Sequence, residues 1–302
     1  EHSKATTMHK IFIDGQAGTT GLQISERLAT HGDIHVLQAD PATRKDPVAR
    51  AELLASADVA ILCLPDDAAR ESVDLAAGKT RILDASSAHR TDAAWQYGLP
   101  ELTTQSRAEI AAAQYVSNPG CYPQGFVLLV RPLIEAGLLS RDMPLRCNAV
   151  SGYSGGGRQM IEQFQAMDAN TANNLAVQSY GLDQGHKHLP EMTAFSGTLV
   201  APIFVPSVAH YDQGMLTQIP LFVSELGGVS PAQVHAVLAD RYATEPFIHV
   251  ADLGDRSMLQ GNFLNPTARN NSNDMDLFVF GDPQRLVLGA RYDNLGKGAA
   301  GA

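Results

Sequence analysis

An open α/β sheet with helices on both faces, followed by a second α+β domain, is the fold class this sequence predicts. Three observations predict it. Short apolar runs alternate with helical stretches in the first part of the chain, and a glycine-rich turn joins the first run to its helix. Beyond residue 200 the strands come longer and with fewer helices between them.

The first run, residues 10–14, leads directly into Gly15-Gln16-Ala17-Gly18-Thr19-Thr20-Gly21, and a helix follows over 22–28. This is strand, tight turn, helix: the order in which backbone N–H groups approach a pyrophosphate at a helix N-terminus. The spacing is G-x-x-G-x-x-G, so Gly15, Ala17, Gly18, Thr19, Thr20 and Gly21 are candidate dinucleotide-binding residues. Alternation continues with a strand at 35–38, a helix at 48–56, a continuous apolar strand at 59–64, a helix at 68–77 and a strand at 81–84, as buried parallel strands require. Cys63, inside the third strand, reads as core.

A group reading the adenosine ribose belongs roughly 20 residues past the glycines. Asp40 suits a 2′-hydroxyl, whereas Arg44 and Lys45 suit a 2′-phosphate, and these residues alone favour NADP only weakly. The loop Ala85-Ser86-Ser87-Ala88-His89-Arg90 ends in a guanidinium that reads equally as a binder of a carboxylate or phosphate through two parallel hydrogen bonds or as a surface arginine.

After a strand at 115–117 comes Asn118-Pro119-Gly120-Cys121-Tyr122-Pro123-Gln124-Gly125. The Pro-Gly turn delivers Cys121 to the start of a long apolar helix, where unpaired N–H groups and the helix dipole favour a thiolate. Cys121 is therefore the candidate nucleophile. Residues 145–150 read as a strand. Ser151-Gly152-Tyr153-Ser154-Gly155-Gly156-Gly157-Arg158 reads equally as an anion nest or as a connector into a helix at 159–166. Residues 170–183 are polar and loop-like. In Gly185-His186-Lys187-His188-Leu189-Pro190-Glu191, two histidines and a carboxylate read as a general acid/base site, the alternative being a surface histidine cluster of no function. No metal is expected, because no further ligand cluster accompanies them. Strands are expected at 203–207, 214–224, 277–280 and 286–291, with a helix at 231–242 and a loop-rich stretch at 254–274. The alanine- and glycine-rich tail reads as a close-packed helix.

Composition sets the bounds. With 44% hydrophobic and 18% charged residues, the 302-residue chain has material for a packed core and is not disordered. A net charge of −10 argues against a nucleic-acid surface and for a small-molecule partner. No apolar run approaches the ~18 residues of a membrane span, so no membrane partner is expected. The three cysteines, Cys63, Cys121 and Cys147, lack C-x-x-C spacing, which suits a reducing cytosol and a cytoplasmic location. Residues 1–7 precede Met8, read as a cloning remnant and stay outside the fold argument.

The segments 15–21, 86–90, 118–123, 151–158, 186–191 and 293–298, in that order, resemble N-acetyl-gamma-glutamyl-phosphate reductases of the shorter form, from about Lys10 to the C-terminus. N-P-G-C-Y-P with H-K-H-x-P-E is the specific combination. The chain is similar more distantly to aspartate-semialdehyde dehydrogenase. The resemblance implies a Rossmann-like domain formed by 8–119 and 284–302, and a catalytic and oligomerisation domain, 120–283, with a largely antiparallel sheet. It implies NADP(H)-dependent reduction of an acyl phosphate, N-acetyl-L-glutamyl 5-phosphate, to the semialdehyde with release of inorganic phosphate, in arginine biosynthesis. Cys121 would form a thioester and His186 would act as acid/base, with His188 the runner-up. Ser87, Arg90, Asn118, Arg158 and Glu191 would bind substrate, and Asn294 and Lys297 would join the glycine turn at the cofactor. A homo-oligomer, a tetramer, is also implied. Relatives usually continue past the final alanine–glycine segment. The alternatives are the same chemistry on aspartyl or N-acetyl-aminoadipyl phosphate, or a non-catalytic NADP-binding sensor.

Overall fold

The computed structural model describes residues 8–16 and 18–300; Ala17 lies outside the described residues, and of Thr19, Ala299 and Ala300 only the backbone is described. The chain divides into two compact units. One holds the residues up to Gly98 together with Gln105–Pro119, and the other holds Leu99–Thr104 and Gly120–Ala302.

The first unit runs β1 (His9–Asp14), α1 (Thr19–Leu28), β2 (Ile34–Leu37), α2 (Pro47–Ser56), β3 (Val59–Leu62), α3 (Asp66–Ala76), β4 (Arg81–Asp84), β5 (Gln96–Tyr97), α4 (Ser106–Ala112) and β6 (Tyr115–Ser117). Its sheet has the order β2-β1-β3-β4-β6-β5, and every pairing is parallel. Parallel strands need crossovers, and the helices between them supply these. Phe12, Leu54, Ala60, Leu62, Ala69 and Ile82 form its core. The third strand stops at Leu62 rather than 64.

The second unit runs α5 (Cys121–Glu135), β7 (Arg146–Gly152), α6 (Gly157–Gln165), α7 (Ala169–Asn174), β8 (Val177–Ser179), α8 (Leu189–Ser196), β9 (Ile203–Ala209), β10 (Met215–Phe222), α9 (Pro231–Tyr242), β11 (Ile248–Val250), β12 (Met275–Gly281) and β13 (Arg285–Tyr292). The strands form one sheet, β11-β12-β13-β10-β7-β9-β8. It is mixed: β7 with β9 and β11 with β12 are parallel, and the other pairings are antiparallel. Two expectations change here. The expected return of 284–302 to the first unit is not seen: its described residues, through 300, pack with the second unit, because β13 is an interior strand paired with both β10 and β12. The stretch 170–183 is not all loop: Asp168 caps α7 through the Thr171 N–H at 2.9 Å, and β8 pairs with β9 at the sheet edge.

Helix α5 is the axis of this unit, buried from Tyr122 to Val130 and packed on β10, β13, α8 and α9. Pro132 lies inside it and has no N–H for the carbonyl of Leu128. The Tyr242 hydroxyl donates to that carbonyl at 2.7 Å, which satisfies it and ties α9 to α5.

In the first unit a buried charge fixes the end of β1. Asp14 accepts from Arg50 Nε at 3.2 Å and Nη2 at 3.0 Å, and from Ser72 Oγ at 2.6 Å. Arg50 also reaches Glu71, which is half exposed. Removing one partner of a buried pair strands the other charge. Arg50→Met should therefore lower the unfolding free energy in urea by about 3–5 kcal/mol. Glu71→Gln should change it by no more than about 1 kcal/mol. Equal effects would show that the buried carboxylate is not the group at stake.

Candidate active site

In the first unit the glycine turn is built from backbone. Gly15 has φ +90°, a conformation that suits glycine, and a Cβ there would lie 2.3 Å from the Cys63 carbonyl oxygen. A Cβ on Gly21 would lie 2.6 Å from the Gly15 carbonyl oxygen. Gly18 N–H closes the turn on Gly15 O at 3.0 Å and begins α1 without a side-chain cap. The first amides of a helix have no carbonyl behind them, and here they extend a turn whose glycines at 15 and 21 keep the backbone close-packed. The residues present therefore fit a dinucleotide pyrophosphate. Gly15, Gly18, Thr20 and Gly21 lie in this turn and the first turn of α1. Asp40, Arg44 and Lys45 are all exposed beyond β2, with the Asp40 carboxylate accepting from Ala42 N–H at 2.9 Å.

At the C-terminal end of β4, Asp84 is fully buried and organises the loop carrying Ser87 and Arg90. It accepts from Ser86 N at 2.9 Å and Ser86 Oγ at 2.7 Å, and pairs with His89 Nδ1 at 2.6 Å. His89 stacks on Trp95 with centroids 4.1 Å apart. Ser87 is held by Asp66 through both its N–H and its hydroxyl. Arg90 donates from Nε to the Asn118 carbonyl at 2.9 Å and from Nη2 to the Ala85 carbonyl at 3.3 Å. The structure thus ties Arg90 to Asn118 directly, while Ser87, on the same loop, is held separately by Asp66. Asp84, His89 and Trp95 support that loop and were not singled out from sequence; the H-R pair following two serines is the one local signal they leave.

In the second unit Cys121 is the first residue of α5, with Gly120 extended at the N-cap. The helix dipole favours negative charge at that position. Three contacts place the residue. Gly120 N–H donates to the buried Glu191 carboxylate at 2.6 Å. The Tyr292 hydroxyl donates to the Cys121 carbonyl at 2.8 Å and accepts from Gly125 N–H at 3.3 Å. Gly298, in the π-helical turn Gly296–Ala300, lies so close that a Cβ there would be 2.8 Å from Cys121 Cβ. Glycine at 125 is required for the same kind of reason, since its Cβ would meet the Tyr292 hydroxyl at 2.8 Å. The other two cysteines differ from Cys121 in their setting. Burial pushes the thiol of the half-buried Cys63, just past β3, up to about 12 and raises that of the fully buried Cys147 as well.

His186 and His188 lie just before α8, with ring centroids 4.7 Å apart. Tyr122, Tyr180 and Phe204 surround His186 at 6.1, 5.7 and 5.1 Å between centroids. Tyr180 donates to the Tyr122 hydroxyl at 3.3 Å, which donates in turn to the Ser207 carbonyl at 3.1 Å. Burial first, and the charge on Lys187 second, lower the His186 pKa. Burial raises the Tyr180 hydroxyl to about 12, and a thiolate on Cys121 adds to the rise. One side of His186 opens on a groove of about 600 Å³ lined also by Leu189, Pro190, Thr193, Ala194 and Ala201.

The remaining sequence-predicted residues have structural partners. Asn294 accepts from Gly214 N–H at 2.8 Å and donates to Ser154 Oγ at 3.0 Å, stitching the glycine-rich loop to β10. In that loop the amides of Gly152, Tyr153 and Ser154 are already engaged by carbonyls of 211–214. Lys297 forms a buried ion pair with Glu101 at 2.6 Å. Arg158 is 74% exposed on α6 and pairs with Glu162, the geometry of a solvated surface pair. Among the described residues no group of three or more His, Cys, Asp or Glu side chains is placed to hold a metal ion. No helix among them is long and apolar enough to cross a membrane.

Residues 121–294 match the family described as semialdehyde dehydrogenase, dimerisation domain, and residues 40–112 match semialdehyde dehydrogenase, NAD binding domain. N-acetyl-gamma-glutamyl-phosphate reductase 2 of Nostoc sp. is 49% identical over 97% of this chain and 94% of its own length. The N-acetyl-gamma-glutamyl-phosphate reductase of Brucella suis is also 49% identical, over 97% of this chain and 96% of its own. In fold the chain is similar to aspartate semialdehyde dehydrogenase from Francisella tularensis, with TM-score 0.72 at 13% identity over 97% of both chains. It is similar in the same way to the enzyme crystallised with NADP from Candida albicans, with TM-score 0.64 at 15% identity over 98% of this chain and 96% of that one. By close sequence identity along nearly its whole length, the chain belongs to the N-acetyl-gamma-glutamyl-phosphate reductase family.

Proposed function

We propose that this chain reduces N-acetyl-L-glutamyl 5-phosphate to N-acetyl-L-glutamate 5-semialdehyde with NADPH, through a thioester on Cys121. The observation that carries the reading is a cysteine at the N-terminus of a buried helix, held there by Glu191, Tyr292 and Gly298. An acyl phosphate is activated toward a thiolate, and a fixed nucleophile there displaces phosphate. NADPH, when bound, supplies the hydride that takes the acyl group to the aldehyde level. The glycine turn with Thr19 and Thr20 holds its pyrophosphate, and Arg44 with Lys45 receives the 2′-phosphate in preference to Asp40. Arg90, with Ser87 and Asn118, binds the anionic end of the substrate. Arg158 and Glu191 complete the substrate set, Asn294 and Lys297 support the nicotinamide side, and His186 is the acid/base at the reacting oxygen, with His188 as its alternate. The mixed sheet, which exposes Val177, Ile203 and Phe222, supports assembly into a homo-oligomer, proposed as a tetramer. A cytoplasmic location follows from the proposed pathway.

The substrate is tested by running the reaction backwards with phosphate and NADP. N-acetylglutamate semialdehyde should be oxidised in clear preference to the aspartate and N-acetyl-aminoadipate analogues, and preference for either analogue would overturn the assignment. The placement of the nucleophile is tested at Gly298. An alanine there must displace Cys121, so kcat should fall by roughly 100-fold, the scale of a 1 Å misplacement. Iodoacetamide should then label Cys121 at an altered rate. An unchanged kcat would show that the tail does not set the thiol's position.

A further inference from the structure

In a regular helix the N–H of Gly125 would donate to the carbonyl of Cys121, four residues back, as the first rung of the ladder behind the cysteine. In α5 the hydroxyl of Tyr292 is bonded to both members of that rung. It donates to the Cys121 carbonyl at 2.8 Å and accepts from the Gly125 N–H at 3.3 Å, with a longer contact to the Tyr122 carbonyl at 3.4 Å. The Thr217 hydroxyl lies 3.2 Å away on the other side. A phenol has one proton and two lone pairs. With the proton directed at the Cys121 carbonyl, Gly125 and Thr217 take the lone pairs, and the hydroxyl is fully used.

The sequence is arranged around this contact. Glycine weakens a helix relative to alanine, yet one stands at 125, inside α5. A Cβ there would lie 2.8 Å from the Tyr292 hydroxyl, 2.9 Å from its ring and 3.0 Å from Thr217 Oγ1, so only glycine leaves the rung open to the tyrosine. Tyr292 opposes Met215 across β13 and β10, which makes Thr217 its diagonal neighbour on the same face of the sheet. Thr217 and Tyr292 are both fully buried. Burial raises the pKa of the phenol, against the hydrogen bond from Thr217, and a thiolate on Cys121 raises it further. The phenol therefore keeps the proton that it donates to the Cys121 carbonyl.

Resting on the reading of Cys121 as the nucleophile, we infer that Tyr292 is a positioning residue for it, whose hydroxyl props the first rung of α5 and so fixes the backbone that carries the thiol. Its bonds are all spent on Cys121, Gly125 and Thr217, so it acts on the reaction through the helix. Without the hydroxyl, Gly125 N–H and the Cys121 carbonyl have only each other on that rung. The first turn then draws in, Cys121 moves with it, and the buried Thr217 hydroxyl loses its acceptor. The displacement falls on the attacking atom and leaves the groups that bind substrate and cofactor where they are. Its cost is therefore in the chemical step and not in binding.

Tyr292→Phe keeps the ring and removes only the hydroxyl. Its kcat should fall by about 10- to 100-fold, approaching the cost of a 1 Å misplacement, while the KM for the acyl phosphate and the Kd of NADPH stay within about twofold. The double variant Tyr292→Phe/Thr217→Val also removes the stranded threonine hydroxyl, and replacing both partners by apolar groups of like shape should bring the melting temperature back toward wild type. Its kcat should remain as low as that of the single variant, which a loss of stability alone would not produce. A kcat for Tyr292→Phe within about twofold of wild type, a KM that rises as kcat falls, or a kcat that recovers with the melting temperature would overturn the inference. The rate at which iodoacetamide labels Cys121, followed by peptide mass spectrometry, should differ from wild type by at least about threefold in both variants, and an unchanged rate would also overturn it. Labelling is measured without acyl phosphate, so it stands or falls separately from the substrate assignment.

Discussion

The first turn of α5 carries the constraint on which the second unit depends. A helix that is buried from Tyr122 to Val130 cannot shift without disturbing the sheet beneath it, and Cys121 is its first residue. The contacts that fix this end come from far along the chain: Glu191 from α8, Tyr292 from β13 and Gly298 from the tail. Each acts on backbone or at van der Waals distance, so the thiol is placed by packing. The same logic explains why β13 belongs with this unit. Its last residue, Tyr292, is fully buried and bridges Gly125 N–H and the Cys121 carbonyl.

In the first unit the constraint is a different one, the placement of the glycine turn and of the loop that carries Arg90. Glycine stands at 15 and 21 in this turn because neither position has room for a Cβ. Buried carboxylates set the frame on either side. Asp14 ends β1 under Arg50 and Ser72, and Asp84 ends β4 under His89 and Ser86. Each carboxylate is satisfied by several donors, as a charge in a low-dielectric interior must be. The rigid loop that follows Asp84 is what aims Ser87 and Arg90.

Much of the fold was legible in the sequence because the elements carry strong local signals. The helix at Pro231–Tyr242 has Ser230 and Gln233 as a capping box, and the parallel strands are continuous apolar runs. The strand β5 spans two residues, and β8 is a partly exposed edge strand, so neither leaves a periodicity to read. The mixed pairing of the second sheet depends on which strands meet, and no local pattern records that. The Asn118–Gly125 turn announced a cysteine at a helix start because proline and glycine act locally. The groups that hold it were not legible as such: the hydroxyl of Tyr292 looks like any buried tyrosine until β13 is seen beside α5. Lys297 and Asn294 were legible as motif residues, but only the fold shows Glu101 and Ser154 as their partners.

The central claim is that Cys121 carries the acyl group, and the most direct measurement is to trap it. The protein is mixed with N-acetylglutamyl phosphate in the absence of NADPH, quenched in acid, digested and read by peptide mass spectrometry. The account predicts an N-acetylglutamyl adduct on the peptide containing Cys121, removed by hydroxylamine and converted to free aldehyde when NADPH is added before the quench. An adduct on another residue, or full turnover with no adduct on Cys121, would contradict it.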